Sequence, residues 1–424
     1  MKIERRKFFE LAGIALAATT INGQTKKPAT RAIPKSEYDY VDWSWEKWRS
    51  IARASRPTKI STEQAGQAEL VDLLARGKEK ITTPQAWQQR RETVKNVLNA
   101  FLGEPPKLKP SLNAKIIEET SLKNHILRKL VFQTEPGEFV PSYLLIPKNL
   151  KGRTPVVLCP HQTTQAGKKE PAGLTGNPQM QTALHLVERG FVTFTYDALC
   201  FGERHDAASG HYGDAIPFYR KHPRWSLMGK MVWDLQRGID YLQTLDFVDA
   251  NRIASIGHSH GGYTTLFGMA FDERLKAGVS NCGFDTFRID GNTFRWSKAT
   301  ALMPLLGFYA TNPRLNMEVY RAVPDSGVID VPFDLHELLA LIAPRPLLLS
   351  TSDEDFVFPN GGWSARRSLE RIKPVYELLG APENLSSYFF SGGHNFTAEA
   401  SANAYSWLER QLKNNAIQVM KDKL

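Results

Sequence analysis

Apolar and polar positions change period along the chain. Residues 33 to 112 are polar and tryptophan-rich, opening with Asp42-Trp43-Ser44-Trp45-Glu46-Lys47-Trp48. Later in the same stretch Trp87, Val94, Val97, Leu98 and Phe101 recur near a helical period. Thr83 and Pro84 supply a cap and a first helical residue, so the pattern predicts a helix from Gln85 to Phe101 within a helical extension. From about residue 113 the pattern is that of strands: Ala114 to Glu119, Ile126 to Gln133, Ser142 to Ile146 and Val156 to Cys159. Five more follow, alternating with helical stretches: Phe191 to Tyr196, Ile253 to Gly257, Ala277 to Asn281, Pro346 to Thr351 and Ser387 to Phe390. Short apolar or β-branched runs separated by helices imply a mostly parallel sheet covered on both faces, an α/β architecture over residues 113–424. A segment at about 283–345 is too long for a simple crossover and reads as a binding insertion, with Trp296 its candidate substrate contact. The other tryptophans are expected to pack against the neighbouring domain.

Composition changes little in this picture. Hydrophobic residues are 42% and charged ones 23%, the balance of a soluble globular protein rather than a disordered or polytopic membrane chain. The net charge of +10 is more informative once located, because residues 1–32 hold seven Lys and Arg against Glu4 and Glu10 and so carry half of it. With no dense basic block downstream, no nucleic-acid partner is expected. The same segment reads Glu4-Arg5-Arg6-Lys7-Phe8-Phe9 and then Leu11 to Ala18, a basic start followed by a short apolar run. It resembles a twin-arginine export signal, ending between Ala17 and Ala32, and implies a periplasmic or secreted protein. The apolar run is about half the roughly 20 residues a bilayer span needs, so no lasting membrane anchor is expected. Cys159, Cys200 and Cys282 are too few, and wrongly spaced, for a disulfide framework or a zinc site, and are expected as buried free thiols.

Chemistry concentrates at Ile256-Gly257-His258-Ser259-His260-Gly261-Gly262. A strand running into G-x-S-x-G and then a helix is the setting in which a sharp turn exposes a serine hydroxyl, making Ser259 the candidate nucleophile. A serine needs a base. Of the ten histidines only His260, His336 and His394 follow Ser259. His260 is carried off by the helix and His336 precedes another, whereas His394 lies in Ser391-Gly392-Gly393-His394-Asn395-Phe396, where a glycine-rich loop after the last strand can swing an imidazole over the sheet edge. For the acid, Asp353, Glu354 and Asp355 compete after the penultimate strand. Asp355 is preferred, with Asp285 the alternative. The oxyanion is expected to meet the backbone N–H of His260 and that of Gln162 or Thr163, in the loop after Val156 to Cys159. Glu203 and Arg204, after Phe191 to Tyr196, are candidate substrate contacts, or hold their loop by a salt bridge. His161, His258 and His260 lack a further ligand at a usual spacing, so neither a metal nor any other cofactor is expected.

Taken together, CPHQTT (159–164), FGER (201–204), MVWDLQRGIDYL (231–242), GHSHGG (257–262), FDER (271–274), FDLHELLALIAPRPLLLS (333–350), the Asp355 loop and GGHNF (392–396) resemble the α/β hydrolase superfamily, and within it the dienelactone hydrolase and acetyl xylan esterase-like branch. The resemblance runs from about residue 84 to 412. It implies an α/β hydrolase fold and cofactor-free hydrolysis of carboxylic esters, often acyl groups on plant polysaccharides, with a small-molecule or polysaccharide ester as substrate. Two alternatives are a peptidase resembling prolyl oligopeptidases, for whose propeller the residues before 113 are too few, and a non-catalytic carbohydrate-binding protein on a hydrolase scaffold.

Overall fold

A computed structural model of the protein describes residues 43–290, 293, 295–309 and 330–414. Residues 1–32, expected from sequence to be an export signal, and part of the insertion lie outside them. Contacts divide the chain after Asp39, and every described residue belongs to the unit Tyr40–Leu424.

Nine strands form one sheet: β1 (Lys115–Ser121), β2 (His125–Glu135), β3 (Glu138–Pro147), β4 (Thr154–Leu158), β5 (Val192–Tyr196), β6 (Val248–His258), β7 (Leu275–Asn281), β8 (Leu347–Ser352) and β9 (Leu385–Phe390). Their spatial order is β9-β8-β7-β6-β4-β5-β3-β2-β1. β9 through β5 run parallel, and β3, β2 and β1 form an antiparallel meander along one edge. Side chains alternate between two cores as strand geometry requires: Val156 and Leu158 of β4 enter one, and Val157 enters the other. The larger core takes apolar faces of α2 (Pro84–Leu102), α4 (Leu227–Leu242), α5 (His260–Phe271), α6 (Leu335–Ala340) and α7 (Gly361–Leu378), and the smaller takes α3 (Thr182–Glu188) and α8 (Ala398–Glu409). This is the mostly parallel, doubly covered sheet that the periodicity predicts.

The N-terminal tryptophans belong to this core. Trp43, Trp45 and Trp48 on or beside α1 (Trp45–Ala52), together with Trp87 on α2, are buried in the larger cluster, and Trp48 meets Tyr219 edge-on at 5.8 Å. Thr83 caps α2 by accepting from the Ala86 N–H, with Pro84 at the first helical position. Among the described residues no helix is long and apolar enough to cross a membrane. Because the six central strands are parallel, the loops that follow them share one edge. Ser259, Asp355 and His394 all stand on those loops.

Candidate active site

Ser259 sits between β6 and α5 at φ +53°, ψ −116°, a left-handed conformation outside glycine's company. Such backbone costs about 1–3 kcal/mol and persists only where its surroundings dictate it. Here the surroundings are close-packed backbone. A Cβ on Gly257 would lie 2.2 Å from the Gly261 carbonyl carbon, and one on Gly261 would lie 2.1 Å from the Pro160 oxygen. Gly257 is therefore required by the close approach of the first turn of α5, and Gly261 by contact with the loop after β4, not by their own dihedrals. The Ser259 N–H donates to the Asn281 carbonyl at 2.9 Å, which ties the turn to the end of β7.

His394 follows β9, and Gly393, at φ +69°, makes the bend before it. Its Nδ1 lies 2.8 Å from Asp355 Oδ2. The other carboxylate oxygen, Oδ1, accepts the N–H groups of Val357 and Phe358 at 2.8 and 2.9 Å. Burial pushes the Asp355 carboxyl up, but the His394 hydrogen bond and charge and the two backbone donors outweigh it and hold it below the usual range. A carboxylate there keeps the proton on Nδ1 and leaves Nε2 as a base. His258, the residue before the serine, packs against the His394 ring with centroids 4.6 Å apart and the planes tilted by 47°. The competing acids are elsewhere: Asp353 forms an exposed two-pronged pair with Arg366 at 2.5 and 2.9 Å, and Asp285 is buried 3.6 Å from Arg295. His336 is buried in the first turn of α6, its Nε2 on the Val71 carbonyl.

The loop after β4 is oriented by His161. Its Nε2 accepts the Ala198 N–H at 3.1 Å, so Nδ1 carries the proton and donates to the Gln162 carbonyl at 2.6 Å. Burial holds this ring neutral. In a trans peptide the Thr163 N–H then faces away from His161. The Gln162 side chain is tied to Glu170 at 2.8 Å, which leaves its backbone, not its amide, for other work. His260 is buried and pushed down to about 3 by burial, so it stays neutral, with Nδ1 3.3 Å from the His161 carbonyl.

Asn281 is absent from the residues that sequence reasoning selects. Its Nδ2 reaches His258 Nδ1 at 2.7 Å and the Asn395 carbonyl at 2.9 Å, and its Oδ1 accepts from Ser350 at 2.7 Å. One amide thus joins the residue before the serine, the residue after the histidine and β8. The one trace in the sequence is a longer polar residue closing the small-residue run Ala277-Gly278-Val279-Ser280.

The described residues offer one trio of donor atoms suited to a metal, Cys282, Asp355 and His394, mutually within 4.8 Å. Its chemistry favours a hydrogen-bonded cluster instead. Burial and then the Asp355 charge push the Cys282 thiol well up, away from the thiolate that metals require.

Residues 162–380 match the family profile described as "Glucuronyl esterase, fungi", just over half of the chain. The chain belongs to the glucuronyl esterase family. The matched stretch contains Ser259 and Asp355, and as a member of this family within the α/β hydrolases the protein is a carboxylic ester hydrolase. It is 26% identical over 319 residues to "Putative hydrolase YtaP" of Bacillus subtilis, covering 74% of this chain and 96% of that one. It is 28% identical over 202 residues to the "4-O-methyl-glucuronoyl methylesterase" of Phanerochaete carnosa, covering 46% of this chain and 48% of that one, so about half of that curated relative is spanned. Among solved structures, a "Glucuronoyl Esterase from Solibacter usitatus" superposes with TM-score 0.63 at 19% identity, over 82% of this chain and 99% of that one. A "CE15 glucuronoyl esterase from Teredinibacter turnerae T7901" gives 0.61 at 21% identity, over 87% and 98%. These two likenesses establish the fold.

Within this glucuronyl esterase relative, the remaining sequence candidates stand apart from Ser259's immediate neighbours. Arg204 is buried and paired with Asp234 at 2.7 Å, while Glu203 pairs with Lys168 at 2.5 Å and Lys129 at 3.1 Å. The two hold their loop through separate partners rather than through each other, and only 6% of the Arg204 side chain is left exposed for a substrate. Trp296 is 1% exposed, packed 4.9 Å from Tyr263 and 5.8 Å from Phe267 behind α5, so its ring stiffens the core and cannot stack on a sugar. Both corrections have one cause: burial is decided by neighbours distant in sequence.

Proposed function

We propose that the protein is an exported serine hydrolase of carbohydrate esters, with Ser259 as nucleophile, His394 as general base and Asp355 as the acid that orients it. The observation that carries this reading is the strained Ser259 turn, whose preceding residue His258 packs against the His394 imidazole, itself fixed at Nδ1 by the buried Asp355 carboxylate. Ser259 Oγ attacks the acyl carbonyl as its proton passes to His394 Nε2. The oxyanion is held by the His260 N–H and by that of Gln162 or Thr163. His394 then returns the proton to the leaving alcohol, and water, deprotonated by the same imidazole, releases the acid. The kinship with proteins named glucuronoyl methylesterases supports a sugar-derived ester, in which a uronate carboxyl is freed from its alcohol.

The test compares wild type, Ser259→Ala, Asp355→Asn and Asp353→Asn on methyl glucuronate esters, aryl acetates and acetylated xylan. We expect turnover of a sugar ester, with near-complete loss in Ser259→Ala. An amide at position 355 cannot stabilise the imidazolium, and in serine proteases the corresponding change costs roughly 10⁴-fold. Asp353→Asn should stay near wild type. Unchanged turnover in Ser259→Ala would remove the serine from the mechanism.

A further inference from the structure

On the opposite edge of the sheet, at the amino ends of the parallel strands, lies an open groove of about 730 Å³. It is framed by the end of β3 (Pro147), the start of β4 (Thr154) and Gly190 just before β5. Six cations line it, Lys123, Lys148, Lys151, Arg153, Arg252 and Lys413, against one acid, Glu188. They come from positions 290 residues apart, so no basic run in the sequence announces them.

Their partners divide them. Arg252 is fixed by Asp249 at 2.7 Å, and Lys413 bonds to the Arg189 carbonyl at 2.6 Å, with Glu409 at 3.7 Å. Lys123, Lys148, Lys151 and Arg153 are exposed and have no carboxylate partner among the described residues. Like charges gathered in a concavity repel one another and focus a positive potential outward, which favours a ligand that meets several at once. The volume falls within the roughly 300–1,000 Å³ of ligand sites. No aromatic ring lines the groove, so bases or bare sugar faces have nothing to stack on, while the exposed amides of Asn124 and Asn149 can bond sugar hydroxyls beside the cations.

We propose that this groove binds a polyuronide, a polysaccharide carrying repeated carboxylates, and holds the enzyme on its polymer independently of the catalytic edge. The choice of polymer rests on the carbohydrate-ester reading, because freeing a uronate ester leaves a carboxylate on the chain. Binding itself requires no turnover.

The experiment uses the full protein with polygalacturonate, unsubstituted neutral xylan and duplex DNA, in affinity electrophoresis and calorimetry at low and high salt. Polygalacturonate should bind, weaken several-fold as salt screens the charges, and weaken about tenfold in Lys148→Glu/Arg153→Glu. Hydrolysis of a small aryl ester by that double variant should match wild type. Absence of polygalacturonate binding, an unaffected double variant, equal binding of neutral xylan, or tighter binding of DNA would each overturn the proposal. Failure of the esterase reading would instead appear as lost turnover with polymer binding intact.

Discussion

Asn281 spends both amide hydrogens, its amide oxygen and its backbone carbonyl on the residues around Ser259 and His394. Nothing in that list requires an amide for packing alone; what it requires is a donor aimed at two acceptors at once. Asn281→Asp replaces that donor with an acceptor facing His258 Nδ1 and the Asn395 carbonyl, and adds negative charge near His394. Misplacing a group that orients a reacting side chain costs about 10–100-fold by analogy with the outer partners of metal ligands. We expect kcat to fall by that order with KM little changed. The sign of the pH effect follows from charge: a nearby anion favours the imidazolium, so the acidic limb of kcat/KM should move to higher pH in Asn281→Asp and much less in Asn281→Ala. Equal limbs in the two variants would reduce Asn281 to packing. The serine and histidine were legible because each is announced by local chain geometry, a strand-turn-helix and a glycine-rich loop after the last strand. The candidate acid, Asp355, is preferred in the sequence over its neighbours Asp353 and Glu354 by its place in the loop, since periodicity cannot say which carboxylate of a loop turns inward. Asn281 was not legible, because its role is made by partners 23, 69 and 114 residues away.

Strand existence and order of type were readable from period alone, but edges were not. β6 begins at Val248 rather than Ile253 because Val248 pairs with Thr154, a registry no window of sequence contains. The start of α6 shows a different limit. Asp334 and Glu337 form a reciprocal capping box there, and Arg288 pairs with Asp334 at 3.1 Å. Burial pushes the Glu337 carboxyl up to about 7, against the opposing Asp334 N–H and Arg90. In the unfolded chain a glutamate titrates at about 4.3. Between those values the folded state holds a proton the unfolded state has lost, so stability falls as pH rises from about 4 to 7, by at most about 4 kcal/mol. Glu337→Gln keeps an oxygen for the Asp334 N–H and has no proton to lose. Urea unfolding at pH 5 and pH 8 should show wild type losing more stability than the variant between the two. Parallel losses would mean that Glu337 does not titrate in this window.

For the molecule as a whole, the charge is spread unevenly between the first residues and the folded unit. Half of the net +10 lies in residues 1–32, ahead of the division after Asp39, while the described unit has its core, its sheet and all three cysteines, each buried and unpaired. A protein whose thiols are buried and free does not depend on an oxidising compartment to fold, and so is suited to a route that exports folded chains. We propose that Arg5 and Arg6 are the signal for that route. Changing both to lysine preserves the charge of the segment and alters only the planar guanidinium that a receptor reads, so a simple electrostatic attraction to the membrane would not notice the change. Cell fractionation should find wild type outside the cytoplasm with the mass of a processed chain, and the double variant inside with the precursor mass. Ester hydrolysis by the retained precursor should persist, because no catalytic candidate lies in the segment. Normal export of the lysine variant would refute the assignment, whereas retention with lost activity would show that residues 1–32 contribute to the fold as well as to the address.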